Sequence, residues 1–549
     1  MTNQALLCTI SPMQSFIYYA QFDDFWNRLE PLTPYGKDLK QERTLYYQAD
    51  DLEKLWEAAD CAAQLLDNGE INLSRIRYFL KRLPRFRCEA LSCYDEADIF
   101  EYKKFISNYH QLTKLLPQAQ RDFFGLSFTS QPLEELLSRG EQYMETFYVD
   151  DAYSEELAEV RRQIRDTDRQ LQEAEQSCLR QIEETLGWSF AGEFAVVTKA
   201  EVHAVSAAKE EQLSLLVTLE PFDSERFIVR PRLPGTHLAL QEQRQKLAGQ
   251  ERQAEATILS AISAEIRSEL PLLLRYRQSV CALDFALARA KLARQYDLVR
   301  PTITAEPSAP LLIEGGRFIP CAEHCASLGT AYVPLDWRLD RQQAVLFGSN
   351  MGGKTIALKT LAFLQLCVQT GLYVPAKHLQ TCLFKHFHYI GEGRRDTPQQ
   401  GLSGFGYEMS QFCQAYACFD EPTLVLFDEF ARTTNSREAE ALISAILADM
   451  AEKTSVRAVF SSHFHGIQRQ PQTAFFKMRG LRRDTALEEQ AKQETPEQRL
   501  MHISALIDYR IQPDPQRLES SDALAIAALL GVPAAITEFA KKQLCQGQQ

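Results

Sequence analysis

The sequence predicts a multidomain chain: an all-α region holding a small β module, then a C-terminal α/β domain built on a mostly parallel sheet. Three observations carry this expectation. Apolar residues recur at helical spacing through the first 186 positions and again from His237 to about Ala293. Between those stretches, FAVVTKAEVHAV and LSLLVTLEPFDSERFIVRP are β-branched, alternating and broken by turn residues, which predicts strands. Beyond residue 310, short apolar runs alternate with helical segments, the pattern of parallel strands joined by crossovers.

Taken in order, residues 1–150 are expected to form a helical core domain, with aromatics in the periodic positions of 95–150. Residues 151–298 are expected to form lever helices carrying the β module at about 188–236. The first lever, Asp151 to Leu186, is highly charged. Leu157, Val160, Ile164, Leu171, Cys178 and Ile182 recur along it at steps of three, four or seven. That pattern fits either a solvated helix with one packed stripe or one arm of an antiparallel coiled coil. Pro301, Pro307 and Pro310 mark a linker over Tyr296–Pro310. The α/β domain is expected at 299–500 and a C-terminal helical segment at 501–549.

Composition narrows the class. Hydrophobic residues make up 45% and charged residues 24%, ordinary for a globular protein. No apolar run reaches 18 residues, so no membrane span is expected. The start MTNQALLCTISPMQSF lacks the basic and apolar regions of a secretory signal. Thirteen cysteines without a CxxC pair predict reduced thiols and a cytoplasmic location. The net charge of −13 argues against a broadly basic nucleic-acid-binding surface, although a local patch is compatible with it.

The strongest chemical signal is Gly348-Ser349-Asn350-Met351-Gly352-Gly353-Lys354-Thr355, a full G-x-x-x-x-G-K-[ST] match. It follows the apolar run AVLF and precedes the helical run IALKTLAFLQLCV, the strand–loop–helix context a phosphate-binding loop needs. Glycines let the backbone approach phosphate, and amides at the helix start bind it. Lys354 is placed for the β- and γ-phosphates of ATP, and the Thr355 hydroxyl for Mg²⁺. The second signal, Thr423-Leu-Val-Leu-Phe-Asp428-Glu429, is an apolar strand ending in two acids. Asp428 is the second candidate Mg²⁺ residue, and Glu429 is placed to orient or deprotonate the attacking water. A third strand, Ala458-Val-Phe-Ser-Ser-His463, ends in a histidine that can sense the γ-phosphate. His386 and His388 alternate along a fourth strand as two potential metal ligands, with no third ligand evident in the sequence.

Together these segments resemble the MutS family of ATPases. GSNMGGKT is similar to its phosphate loop, GLYVPAKH to its Gly-x-(Tyr/Phe)-Val-Pro-Ala segment, LVLFDEFARTTNS to its acidic strand, and VFSSHFHGI to its last strand. Ser521 to Pro533 resembles the helical tail that packs two subunits together. Tyr332-Val-Pro-Leu-Asp336 resembles an element whose aromatic stacks on adenine, which implies that role for Tyr332. Gly401-Leu-Ser403-Gly-Phe-Gly-Tyr-Glu408-Met409 matches the stretch whose serine approaches the partner subunit's nucleotide, with Gly404 in place of a hydroxyl residue. The resemblance implies an ABC-type P-loop ATPase domain, a dimer and Ser403 acting in trans. It is strong over about 310–549 and architectural over 20–310.

Three departures bear on output. The intercalating Phe-x-Glu that reads mispairs has no match in the first 120 residues. No nuclease tail is expected after the dimerising segment. From Gly187 to Pro234 there are five Lys/Arg against seven Asp/Glu, the reverse of what a duplex clamp calls for. Three outputs share the ATPase: a DNA-binding clamp related to mismatch repair or recombination but without ordinary mismatch reading; an ATP-driven protein remodeller resembling reactivases of cobalamin-dependent lysine 5,6-aminomutase; and a slow nucleotide-gated scaffold.

Overall fold

The computed structural model describes residues 11–67, 69–140, 146–348, 353–391, 404–482, 506–514 and 522–546. The chain divides into two units. One comprises Tyr78–Leu116 and Leu126–Gln278; the other comprises Met1–Arg77, Pro117–Gly125 and Ser279–Gln549. Residues 1–150, expected as one helical domain, are thus shared between the two.

In the first of these, the helix Glu155–Leu186 runs antiparallel to the helix that begins at Gly235 and continues to Tyr296. Ion pairs set the register: Arg161 meets Glu251 at 2.8 Å and Glu255 at 2.7 Å, and farther along Arg244 meets Asp168 at 3.2 Å. Of the expected stripe, Leu157, Ile164, Cys178 and Ile182 are buried, so the pair packs as an antiparallel coiled coil would. The β module between the helices contains β1 (Ala195–Thr198), β2 (Val217–Pro221) and β3 (Arg226–Pro231) in the order β1-β3-β2, all antiparallel. The segment FAVVTKAEVHAV was expected to be strand throughout, but Lys199–Leu216 is helical. The reason is a capping box: Thr198 accepts from the Glu201 amide while the Glu201 carboxylate accepts from Thr198. Elsewhere in this unit an aromatic column of Phe86, Tyr102, Phe105, Tyr109 and Tyr276 forms the core, with Tyr109 stacked on Tyr276 at 4.3 Å.

The other unit holds two sheets. The smaller has β4 (Thr302–Ile303), β5 (Leu311–Gly316), β6 (Leu335–Leu339) and β8 (His378–Thr381) in the order β4-β8-β5-β6. The larger comprises β7 (Gln343–Phe347), β9 (His386–Ile390), β10 (Thr423–Asp428), β11 (Val456–Ser462), β12 (Thr473–Leu481) and β13 (Ile507–Pro513). Its order is β13-β12-β7-β11-β10-β9, parallel except for β13. Both faces are covered, which is why AVLF, TLVLF and VRAVF read as continuous apolar runs. Leu346, Leu424, Leu426 and Val459 pack with the helix Lys354–Gln369. Their neighbours Val345, Phe347, Val425, Phe427 and Phe460 pack on the other face with the helix Ser436–Met450.

Two features of this unit were not expected. The aromatic segment 16–26 joins the α/β core: Phe16 packs on Phe387, and Phe22 and Phe25 pack on Phe363. Large rings bury enough area to dock short helices that periodicity alone would place elsewhere. In addition, β13 lies inside the stretch 501–549 expected to be helical; among the described residues there, Asp522–Leu529 and Ala534–Gln546 are the helices. The alternating IDYRIQP carries a strand period, and pairing with β12 fixes it.

Asp508 secures that edge. Its carboxylate accepts from the Arg510 guanidinium at 2.6 Å and faces Arg479 and Arg482, and the Arg510 pairing holds its pKa down at about 2. A carboxylate more acidic in the folded than in the unfolded chain adds stability above its unfolded value and loses it as pH falls through the folded one. Asp508→Asn is therefore expected to cost about 1–2 kcal/mol near neutral pH, allowing for screening of the half-exposed Arg510. The difference from the parent should fade between about pH 4 and pH 2, as denaturant titrations at several pH values would read.

Candidate nucleotide-binding site

The site forms where three parallel strands end. Strand β7 leads into Gly348, and Gly353 caps the helix Lys354–Gln369 with φ 89°, a left-handed conformation that glycine adopts without strain. A Cβ on Gly353 would sit 2.9 Å from the Tyr509 ring, so the close approach also requires glycine. Ser349, Asn350, Met351, Gly352 and Ser403 lie outside the described residues. Lys354 is buried, its ammonium donating to the Gly348 carbonyl at 2.6 Å and standing 3.7 Å from Glu429 Oε1. Burial pushes its pKa down, and the neighbouring Glu429 and Asp428 partly restore it.

Asp428, the last residue of β10, organises the other side. The Thr355 hydroxyl donates to its Oδ1 at 3.2 Å and the Ser461 hydroxyl to the same oxygen at 2.6 Å. The Tyr19 hydroxyl reaches Oδ2 at 3.3 Å. Burial raises the Asp428 pKa, and these hydroxyls oppose the rise. A hydroxyl beside a carboxylate is an oxygen donor set for a hard divalent cation, so the residues present fit Mg²⁺.

Glu429 follows with φ 50°, and Ala431 with φ 62°, both left-handed without glycine. Such backbone costs about 1 kcal/mol or more per residue and persists where surroundings enforce it. Here the Glu429 amide donates to the Ser461 hydroxyl at 3.1 Å, and the Ala431 amide donates to the buried Glu408 carboxylate at 2.8 Å. The turn directs the Glu429 carboxylate to Lys354 and to Arg432, 2.9 Å away. His463, just past β11, lies in the field of Glu429, Lys354 and Arg432. Burial lowers its pKa, which favours the neutral ring, and its Nδ1 is buried without a hydrogen-bond partner among the described residues.

Lys354, Thr355, Asp428, Glu429 and His463 thus share one site. Tyr332 is held by its hydroxyl, which accepts from the Phe318 amide at 2.8 Å, and it also contacts Thr360, five residues past Thr355 on the same helix. Sequence reasoning missed Tyr19 and Ser461, and named Glu408 only as part of the stretch around Ser403. Ser461 could have been read from the polar end of an apolar strand. Tyr19 carried no signal, since it reaches Asp428 across 409 residues of sequence. It is stacked on Tyr389 at 3.9 Å, which fixes its hydroxyl.

Comparison with known proteins places this geometry. Residues 344–546 match the family model for MutS domain V. The Endonuclease MutS2 of Thermomicrobium roseum is 29% identical over 320 residues, 55% of this chain and 38% of that protein. The DNA mismatch repair protein MutS of Shouchella clausii is 30% identical over 326 residues, 58% of this chain and 36% of that protein. The Endonuclease MutS2 of Lactobacillus helveticus is 32% identical over 234 residues, 42% and 28% respectively. The matches span less than two-fifths of the length of each of these relatives. No described helix is long and apolar enough to cross a membrane. With a strand–loop–helix phosphate site and an acidic strand beside it, residues 344–546 match MutS domain V, and about half of the chain is similar to MutS and MutS2 proteins.

Proposed function

We propose that the chain is an ATP-hydrolysing switch that dimerises through its ATPase unit. We further propose that it acts on duplex DNA, in work related to recombination or repair that does not involve ordinary mismatch reading. The observation that carries the enzymatic part is the half-buried Asp428 carboxylate, met by the Thr355 and Ser461 hydroxyls with Glu429 next in sequence. Thr355 and Asp428 would hold Mg²⁺, which neutralises charge on the phosphates. The loop from Gly348 through Ser349, Asn350, Met351, Gly352 and Gly353 cradles phosphate, and Lys354 binds the β- and γ-phosphates. A phosphate oxygen competes with Glu429 for Lys354, which frees the Glu429 carboxylate to take a proton from water. That water oxygen bonds to the γ-phosphorus while the bond from phosphorus to the bridging oxygen breaks. Neutral His463 reports the γ-phosphate, Ser403 acts from the partner subunit, and Tyr332 contacts adenine.

Dimerisation is supported by the exposed apolar residues Leu530, Val532, Ile536 and Phe539 on and between the last two helices. The DNA output is supported by the names of the relatives. One observation favours a second reading, an ATP-driven remodeller of a protein such as a cobalamin-dependent aminomutase. The β module is acidic and exposes Phe194, Val196, Leu215 and Phe222, a surface better suited to protein than to phosphate.

Lys354→Ala is expected to abolish ATP binding, and its retention in a nucleotide-binding assay would sink the assignment. Glu429→Gln should bind ATP yet turn over about 10²–10⁴-fold more slowly. Ser461→Ala should weaken Mg²⁺-dependent turnover roughly tenfold, by removing a hydrogen bond to a half-buried charge. For the output, binding to plain, mismatched and branched duplexes should depend on nucleotide and weaken steeply with salt. No binding at low salt would remove the DNA reading in favour of a protein client.

A further inference from the structure

On the outer edge of the six-stranded sheet, two histidines and a cysteine converge away from the phosphate site. His386 and His388 lie two residues apart on β9, so their side chains share a face. His388 pairs in register with Val425, whose side chain belongs to the apolar cluster that includes Ala415 of the helix Gly404–Tyr416. Cys418 follows that helix. It is held by its amide bonding to the Ala415 carbonyl at 2.9 Å and by the Thr423 hydroxyl donating to its carbonyl at 2.9 Å. One potential ligand atom from each of His386, His388 and Cys418 lies within 4.8 Å of the other two.

His388 is the informative member. It is 94% buried (6% exposed). A polar side chain buried to this degree calls for a reason. This one lies beside a second imidazole and a thiol. The Glu421 carboxylate stands 2.6 Å from His386 Nε2, the arrangement in which an acid orients a ligating imidazole.

We propose that His386, His388 and Cys418 form a zinc site that ties the edge strand β9 to the turn after the helix Gly404–Tyr416. Two nitrogens and a sulfur select a borderline-soft ion and disfavour Mg²⁺, which takes oxygen ligands. Tetrahedral bonds of about 2.0–2.3 Å place ligand atoms about 3.3–3.8 Å apart, so the cluster closes by at most about 1.5 Å on binding. Cys418 loses its thiol proton to solvent as the sulfur–zinc bond forms, and water completes the fourth position on the partly exposed side. Such a site is independent of ATP chemistry and stiffens the helix that carries Glu408, the acceptor for the Ala431 amide.

The full chain, stripped with chelator and held in excess Mg²⁺, is titrated with Zn²⁺ and separately with Co²⁺. One zinc per chain is expected after desalting. Co²⁺ should give a thiolate-to-metal charge-transfer band, and Cys418 should be protected from alkylation as read by mass spectrometry. Cys418→Ser, a near-isosteric change at a partly exposed position, should lose the band and bind zinc at least tenfold more weakly. His388→Gln should do the same, while Cys413→Ser should bind as the parent does. A parent that holds no stoichiometric zinc, or a Cys418→Ser variant that holds it equally well, overturns the proposal.

Discussion

The half-buried carboxylate of Asp428 is the point on which the rest of the α/β unit depends. Taking a carboxylate out of water is expensive, and here the compensation comes from hydroxyl donors, Thr355, Ser461 and Tyr19. Those donors come from the phosphate-loop helix, the neighbouring strand and the first described helix. One oxygen pair therefore fixes the register of β10 against β11, the start of the Lys354–Gln369 helix and the docking of residues 12–19. Hydroxyls leave the charge largely uncompensated, which is what burial raising its pKa expresses. The residue is stable enough to fold around and still attractive to a cation.

Glu429 is arranged by a different device. Its left-handed backbone turns the carboxylate back over Lys354, and the strain is absorbed by amide bonds to Ser461 and Glu408. Ser461 joins the two acids, donating to one and accepting from the backbone of the other. Lys354 and Arg432 both face Glu429, so its ion-pair partners depend on where those cations go. A phosphate that attracts Lys354 changes Glu429 without any large movement of the backbone.

The other unit has a separate physical logic. Its helix pair is set by ion pairs around Arg161 over a narrow apolar seam, and its β module has a core of its own around Trp188, Val197 and Val229. The helix Gly235–Tyr296 contributes residues 235–278 to this unit and 279–296 to the other. What the module holds is a matter of its surface, where acidic and apolar groups outnumber basic ones.

The sequence by itself determined the local chemistry. Strand–loop–helix context, apolar runs ending in acids and lever periodicity are encoded within tens of residues, so Lys354, Thr355, Asp428, Glu429 and His463 could be singled out, as could the helix pair, whereas Tyr296–Pro310, expected as a linker, holds β4. Even the Thr198–Glu201 capping box was written locally and could have corrected the strand expectation there. Tertiary structure alone decided what contacts at long separation decide. Tyr19 reaches Asp428 because large aromatic rings bury more area on the sheet than in a separate helical core. Strand β13 exists because β12 offers an unpaired edge. Cys418 meets His386 and His388 because the helix before it returns the chain to β9. None of these partners shares a local period with the residue it meets, so no pattern in the sequence could have named it.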